Sequence, residues 1–569
     1  MLDVLRPLER AIAARTRIPS WAVVMQVGGG VALVVALIGF VWDVGWHADL
    51  GRDKNLFTIP HLMILAGLLG IGASGAAAIA MATLGEAAGG WRWRGLHIPY
   101  SAAALTAFGA GAVAGFPLDD LWHRTYGIDV TMWSPTHLLM IGGASLSPLA
   151  LALGAGEARS PDESGFVRAR RYLVAGAVLI GLSTFQLEFD MGVPQWQALY
   201  QPVLIAAAAG IGLVGARAWL GRGGAFFALF MFWLIRGLVA LLVGPVLGHQ
   251  VPHFPTYLGA AAGVELAFLL AGRVTPLALA VLAGLAAAIV GLPAEWLWTH
   301  LWSFQPWQPR LLPMIWLPLL ASVAGAVLGL AAGRAWRPAP AGLPRPAVPL
   351  AAAVLVAALV APLPRTSISA SASLSAQSAG APHDFAPDRS GVPTLLQDYW
   401  IEARLSPAGA ADDPDWFRVA AWQGGHVRDI EMVQVAPGDY RSSQPVPTGG
   451  TWKAILFLAR GDVVSAAPIA MPRDSEYGQA GVQPPAGGTP VTREFVPASR
   501  LLMSESHSAS PLVADLAYGA FVLVCLGWLV LLVVVHRAVA ADAEEEAMRR
   551  REVPGPRRFG VVRRRKALG

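Results

Sequence analysis

The chain has 569 residues, of which 55% are hydrophobic and only 14% are charged. Soluble domains carry about 25% charged residues, so this composition excludes an ordinary soluble protein and indicates a polytopic membrane protein. The formal net charge of +5 would suggest a nucleic-acid partner in a soluble protein. Here the basic residues lie in loops and in the tail, where membrane topology explains them, and no nucleic-acid partner is expected. The single cysteine, Cys525, excludes an intramolecular disulfide and a cysteine-based metal site.

The apolar segments predict about twelve transmembrane helices, because each is long enough to cross a bilayer. In chain order the predicted helices cover residues 21–46, 60–85, 101–121, 136–156, 172–190, 198–220, 225–248, 256–272, 275–298, 311–336, 347–364 and 511–536. Sixteen arginines precede the first helix or lie in alternate connections, whereas the opposite connections hold four basic residues. This distribution predicts a multi-pass protein of the plasma (inner) membrane with both termini in the cytoplasm.

The remaining segments predict a second domain, inserted on the extracytoplasmic side. After a cytoplasmic N-terminus (1–20) and a membrane domain of about eleven helices (21–364), residues 365–393 form a Ser/Ala/Pro-rich segment that indicates a linker. Residues 394–475 alternate in short apolar runs broken by turn residues, which predicts a β-sandwich. A Pro/Gly-rich linker (476–509), a final transmembrane helix (510–536) and a basic cytoplasmic tail (537–569) complete the predicted order. The predicted fold is therefore an all-α polytopic membrane protein, built of helix-hairpin repeats, with an inserted extracytoplasmic β-sandwich.

One motif occurs twice in the chain, at the predicted extracytoplasmic ends of two helix hairpins. Its two copies are Asp43, His47 and His61, repeated 76 residues later as Asp119, His123 and His137. The carboxylate and the first histidine are four residues apart and share a helix face, and the second histidine begins the next helix. Asp, His and His suit copper, zinc or iron. Single histidines at a helix end are commonly interfacial, but that role need not preserve a three-residue spacing, so the repeat favours two metal sites.

Other polar residues are weaker candidates. Carboxylates that could orient the imidazoles are Asp49, Asp53, Asp120 and Asp129. Further polar sites at the same predicted level are Glu188, Asp190, His249, His253, Glu295 and His300. Deeper in the membrane, Arg236 and Glu265 are predicted at equal depth on consecutive antiparallel helices, so an ion pair is expected. That pair could fix helix register or belong to a proton or transport path.

The duplicated Asp-x3-His-x13-His pattern resembles the copper site in the third subunit of the particulate methane/ammonia monooxygenases, whose second spacer is one residue shorter. The resemblance covers a short stretch around each copy and implies copper at both triads. The predicted outer domain carries Pro437-Gly-Asp-Tyr440 and Gly449-Gly-Thr-Trp452. It resembles the Ig-like modules of bacterial copper-handling and oxidase-maturation proteins, which implies a copper chaperone or a respiratory oxidase as partner.

Three functions remain open from the sequence. The preferred one is a non-enzymatic copper protein of the cell envelope, which binds or passes the ion and serves oxidase maturation. The second is a copper-dependent enzyme of the membrane-monooxygenase type, which would keep an open coordination position beside an apolar cavity. The third is a multi-pass transporter in which the Asp/His clusters are structural. Another divalent metal also fits the ligand set.

Overall fold

The computed structural model describes residues 2–50, 56–85, 89–127, 131–159, 165–192, 197–336, 342–361, 367–385, 394–423, 426–449, 452–461, 463–473, 481–485, 489–503 and 509–552. Helices dominate the described chain. They are α1 (Leu2–Thr16), α2 (Ser20–Leu50), α3 (Ile59–Leu84), α4 (Tyr100–Tyr126), α5 (Pro135–Glu157), α6 (Gly165–Ser183), α7 (Leu187–Asp190), α8 (Tyr200–Leu220), α9 (Gly224–Leu241), α10 (Leu258–Leu270), α11 (Pro276–Trp302), α12 (Trp316–Trp336), α13 (Ala347–Val360), α14 (Ala498–Met503) and α15 (Pro511–Glu552). A short hairpin, β1 (Trp91–Trp93) and β2 (Leu96–Ile98), joins α3 to α4.

Ten of the described helical segments are long and apolar enough to cross a membrane, which confirms a multi-pass membrane protein. The predicted number was about twelve. The two further apolar helices, α10 and α13, have only 13 and 14 residues, whereas a span needs about 20. Helix α10 is short because residues 249–257 are not helical.

Side chains satisfy the backbone of the irregular segment before α10. The carboxylate of Glu295 accepts hydrogen bonds from the backbone N–H groups of Thr256 (3.1 Å) and Tyr257 (2.5 Å). The indole N–H of Trp298 donates to the carbonyl of Phe254 at 3.1 Å. Non-helical backbone within a membrane requires such partners, because lipid supplies none. The buried Glu295 therefore stabilises the start of α10.

The two hairpins that carry the repeated motif form a four-helix bundle, in which α2 packs on α3, α3 on α4, α4 on α5 and α5 on α2. Their helix contacts repeat as the sequence does. A Cβ on Gly67 would lie 2.6 Å from the Cβ of Ala36, and a Cβ on Gly143 would lie 2.8 Å from the Cβ of Ala112. Both members of the second pair follow the first by 76 residues. The duplication therefore extends from the motif to the close packing of each hairpin.

The remaining long helices continue the bundle. Helix α8 packs on α12, α11 on α10 and α12, and α6 on α9. Helix α15 lies against α4 and α5, where the Trp528 ring meets the Phe108 ring edge to face at 5.7 Å. One continuous buried core joins these helices.

The chain between α13 and α15 forms an antiparallel β domain. Its strands are β3 (Ser371–Ser378), β4 (His383–Phe385), β5 (Thr394–Ser406), β6 (Trp416–Gln423), β7 (His426–Ala436), β8 (Asp439–Ser442), β9 (Val446–Thr448), β10 (Lys453–Arg460), β11 (Val463–Ala470), β12 (Val491–Glu494) and β13 (Val496–Pro497). Nine of them follow one path, in the order β12-β3-β5-β8-β7-β6-β10-β11-β13, and β4 and β9 pair with β5. The inserted β domain is confirmed, but its strands form a single, nearly closed, barrel-like sheet instead of the predicted sandwich.

Strands also occupy both segments predicted to be linkers. Strand β3 lies within residues 365–393, and β12 and β13 lie within residues 476–509. In β3 the apolar residues Ala372 and Leu374 are fully buried and alternate with serines. This alternation is that of a half-buried strand, but small residues give it little hydrophobic contrast. The β domain is therefore larger than residues 394–475.

Two contacts between described residues show where the β domain meets the helical part. Strand β7 contacts α2, the helix whose last turns carry Asp43 and His47. The guanidinium of Arg310, in the connection from α11 to α12, lies 2.8 Å from the carboxylate of Asp415 and donates to the carbonyl of Asp413 at 2.9 Å. The β domain thus lies at the end of the bundle where α2 and α11 finish.

Candidate metal centres

A glycine one helical turn before each aspartate lets the two helices of a hairpin approach closely. A Cβ on Gly39 would lie 3.0 Å from the carbonyl oxygen of Pro60. In the second copy, a Cβ on Gly115 would lie 3.0 Å from the carbonyl oxygen of Thr136. A larger side chain at either glycine would push the helices apart. These contacts bring the first turn of α3 and of α5 against the aspartate-bearing helix.

The first triad converges on one carboxylate oxygen. Oδ1 of Asp43 lies 3.4 Å from Nε2 of His47 and 3.1 Å from Nε2 of His61. The two imidazole ring centres are 5.9 Å apart. The three side chains are between 16% and 20% exposed.

The second triad also gathers two imidazoles around one carboxylate, but each histidine lies against a different carboxylate oxygen. The carboxylate of Asp119 lies 3.7 Å from Nε2 of His123, through Oδ2, and 3.2 Å from Nε2 of His137, through Oδ1. The ring centres are 6.1 Å apart. The aspartate is more deeply buried than in the first triad, at 8% exposure against 16%.

Both triads can hold a metal ion. In each, one ligand atom from every residue lies within 4.8 Å of the others. Ligand atoms bound at about 2.0–2.2 Å around a tetrahedral ion are separated by about 3.3–3.6 Å, which is close to the nitrogen–oxygen distances above. The convergence expected from the repeated spacing is therefore present in both copies.

Hydrogen bonds orient the second triad further. Nδ1 of His137 lies 2.7 Å from the carbonyl oxygen of Thr131. A carbonyl only accepts, so Nδ1 carries the hydrogen, and in the neutral ring the lone pair of Nε2 faces the carboxylate of Asp119. Two acceptors 3.2 Å apart require a cation between them, either a proton or a metal ion. Metal-bound histidines typically donate from their second nitrogen in this way.

Thr131 and Thr136 were not among the predicted site residues. The hydroxyl of Thr136 donates to Oδ1 of Asp119 at 2.6 Å, and both side chains are buried. The position equivalent to Thr136 in the first copy is Pro60, which has no hydroxyl. A signal was present in the sequence, since Ser134-Pro-Thr is a helix start, where hydroxyl side chains bind nearby polar groups. The two centres therefore have the same types of ligand, but only in the second does a threonine hydroxyl bind the carboxylate.

The prediction of an ion pair between Arg236 and Glu265 is wrong. Arg236 contacts Asp190 at 2.5 Å, with both side chains at most 2% exposed, and Glu265 contacts Arg217 at 2.7 Å. The carboxylate of Glu265 also accepts from the backbone N–H of Ala225 at 3.0 Å, at the start of α9. Because α10 begins only at Leu258, Glu265 lies at the level of the start of α9, far from Arg236 in its middle.

The remaining polar candidates have other partners in the described part of the chain. Glu188 accepts a hydrogen bond from the indole of Trp133, and Asp120 pairs with Arg124. Glu295 binds the backbone before α10, as described above. Asp53 and Asp129, and the side chain of Asp49, lie outside the described residues.

The other histidines at this end contact aromatic rings. The His253 ring stacks on Phe304 with ring centres 4.1 Å apart. The His249 ring centre lies 5.6 Å from that of Trp46. Nδ1 of His300 lies 2.8 Å from the carbonyl oxygen of Trp296. Among the described residues, only the two triads gather three potential metal ligands.

We compared the chain with known protein families, curated proteins and solved structures. No protein-family model, no curated protein and no solved structure matches the chain. The chain is therefore characterised by its own features: a multi-pass helical membrane part, an inserted β domain and two Asp-His-His clusters that can hold a metal ion.

Proposed function

We propose that this protein binds copper at the extracytoplasmic face of the membrane and passes it on, in copper handling or in the maturation of a respiratory oxidase. The observation that carries the proposal is the convergence of three ligand atoms in each triad, Asp43 with two histidines in one hairpin and Asp119 with two in the next. One such cluster could be chance polarity at a helix end. Two clusters with the same sequence spacing and similar nitrogen–oxygen distances favour a selected site.

The ligand set favours copper over other ions. Two imidazole nitrogens and a carboxylate oxygen suit borderline ions, and for divalent first-row metals the affinity of such a site is highest for Cu²⁺. The carboxylate neutralises part of the ionic charge at a place where the membrane offers little water. Neutral imidazole is required for binding, so the ion displaces a proton wherever the ring is charged.

The accessibility of the sites favours transfer. Each triad supplies three protein ligands and so leaves at least one coordination position for an incoming donor. The side chains of the first triad are partly exposed, which allows a carrier protein to approach. The contact between β7 and α2 places the β domain beside this end of the bundle. We propose that the β domain provides the docking surface for a copper chaperone or an oxidase subunit.

The orientation follows from the charges. Basic residues concentrate at the helix ends opposite the triads, and such residues remain in the cytoplasm. The triads and the β domain share one end of the bundle, so both would face outward. Both chain termini would then be cytoplasmic.

Metal analysis of the purified full-length protein tests the proposal. After equilibration with Cu²⁺ and removal of free ion, we expect two copper ions per chain, one in the His47→Ala variant, one in His123→Ala, and none tightly held in the double variant. His300→Ala is the matched control, since His300 ends a membrane helix but belongs to neither triad. Full copper retention in the double variant, or equal loss in the control, would contradict the proposal.

A further inference from the structure

An apolar cavity opens on the side of the bundle between α2 and α6. Its volume is about 540 Å³, within the range of about 300–1,000 Å³ typical of ligand pockets. Helix α5 forms its back wall through Pro148 and Leu151. Val31 on α2 and Leu173 on α6 are 60% and 50% exposed at its rim. Because these rim side chains face the region that lipid occupies, the cavity is open to the bilayer.

One charged side chain lies in this apolar wall. Arg170 is the only charged residue among the described lining residues, and it is 5% exposed. Its guanidinium donates to the side-chain oxygen of Gln26 (3.3 Å) and to the carbonyl oxygen of Ala158 (2.9 Å), which are both neutral acceptors. Its Nε has no hydrogen-bond partner in the described chain.

A buried guanidinium without an anion is costly, so this geometry calls for a negative partner. No described carboxylate lies within ion-pair distance of Arg170. Nε is itself buried, so the Arg170 side chain must shift to bring its unpartnered Nε–H to an anion bound in the cavity. Arginine binds phosphate oxygens in this manner, with two parallel donors.

The length of the cavity matches a lipid chain. On α2 its lining extends from Gln26 to Phe40, and on α6 and the turn after it from Phe166 to Thr184. Fourteen residues of helix cover about 21 Å, which is more than the hydrocarbon of one leaflet, about 15 Å. An acyl chain whose head group lies at Arg170 could therefore remain in the cavity for its full length.

We propose that this cavity binds an anionic phospholipid, with its phosphate on Arg170 and one acyl chain between α2 and α6. Lateral opening selects a membrane lipid over a water-soluble ligand, and the buried cation selects a negatively charged head group. Arg168 and Arg171 on the same helix end add positive charge near the entrance, as expected on the side of the membrane where anionic lipids concentrate. The proposal does not depend on metal binding.

Gly30 provides a way to fill the cavity without disturbing the fold. It lines the cavity, and a Cβ at this position would meet nothing within 4 Å. Gly30→Leu therefore places a side chain in the lipid's path, and leucine also favours the helix over glycine. Gly237 on α9 likewise has open space around it but does not line the cavity, so Gly237→Leu is the matched control.

Native mass spectrometry of the full-length protein in detergent tests the proposal, with dioleoyl phosphatidylglycerol and dioleoyl phosphatidylcholine as probes. Both lipids offer a phosphate to Arg170, but phosphatidylcholine also carries a quaternary ammonium that repels the guanidinium. We therefore expect one site at which phosphatidylglycerol binds about tenfold more tightly. Arg170→Gln should abolish the preference, and Arg168→Gln, which changes an exposed arginine of the same helix, should retain it. Gly30→Leu should remove the site, and Gly237→Leu should leave it.

Three results would overturn the proposal. Equal affinity for the two lipids in the unaltered protein would mean that Arg170 does not select an anion. Equal loss in the Arg168→Gln and Arg170→Gln variants would indicate general surface attraction. Tight binding that survives Gly30→Leu would place the lipid elsewhere. If Arg170→Gln fails to fold, the Gly30 and Gly237 variants still decide the location, and Arg170→Lys tests the charge.

Discussion

The second metal centre should depend on the hydroxyl of Thr136. Thr136→Val removes the hydrogen bond to Asp119, which is 2.6 Å long, while it keeps the shape of the side chain. Both residues are buried, at 7% and 6% exposure, so water cannot easily replace the lost donor. A hydrogen bond to a charged group contributes about 1.5–3 kcal/mol. Copper affinity at this centre should therefore fall about ten- to a hundredfold, the range typical of residues that orient metal ligands.

The measurement requires one centre at a time. In a His47→Ala background only the second triad is complete, and competition with a copper chelator of known affinity gives the dissociation constant with and without Thr136→Val. In a His123→Ala background the same substitution should leave the first centre unchanged. Thr125→Val is the control, because the hydroxyl of Thr125 donates within its own helix to Leu121. An unchanged dissociation constant in the His47→Ala background would show that the hydroxyl does not support the site.

Two further predictions concern the fold. Asp190→Asn should lower the free energy of unfolding by about 3–5 kcal/mol, because it leaves the buried charge of Arg236 unpaired. Adding Arg236→Met should recover part of that loss. Thermal denaturation in detergent measures both changes, and an unchanged stability of the single variant would count against the ion pair. A fragment of residues 367–503 should unfold cooperatively and give a β-type circular dichroism spectrum. The shorter fragment 394–475 lacks β3 and β12 and should do neither. If the shorter fragment folds, strands β3 and β12 are dispensable.

The triads were predictable because their geometry is local. Residues four apart share a helix face, and the second histidine begins the adjacent antiparallel helix, so spacing alone brings His61 to Asp43 and His137 to Asp119. The supporting threonines were not predictable from the repeat, since Pro60 stands at the position of Thr136 in the first copy. Gly39 and Gly115 bring the two helices of each hairpin together, and they too are 76 residues apart, so the repeat in the sequence includes them.

The wrong ion pair and the strands missed in the predicted linkers have different physical causes. The predicted membrane depth of Glu265 assumed that its apolar segment is helical throughout. The residues before α10 are not helical, so Glu265 lies several residues away from the predicted depth and pairs with Arg217 instead of Arg236. Strand prediction relies on hydrophobic contrast, which is weak in β3, where alanine and serine alternate. Long-range pairing with β5 and β12, which composition does not reveal, makes that segment a strand.

The difference between Thr136 and Pro60 has a consequence for how two metal ions would load, if the proposed function is right. The hydrogen bond from Thr136 to Asp119 would make the second centre about ten- to a hundredfold tighter than the first, if the remaining ligands are equal. Loading would then occur in two steps, with one ion retained when supply is low and a second taken up only when supply rises. A duplicated hairpin with unequal copies would thus report ion supply over a wider concentration range than two identical sites.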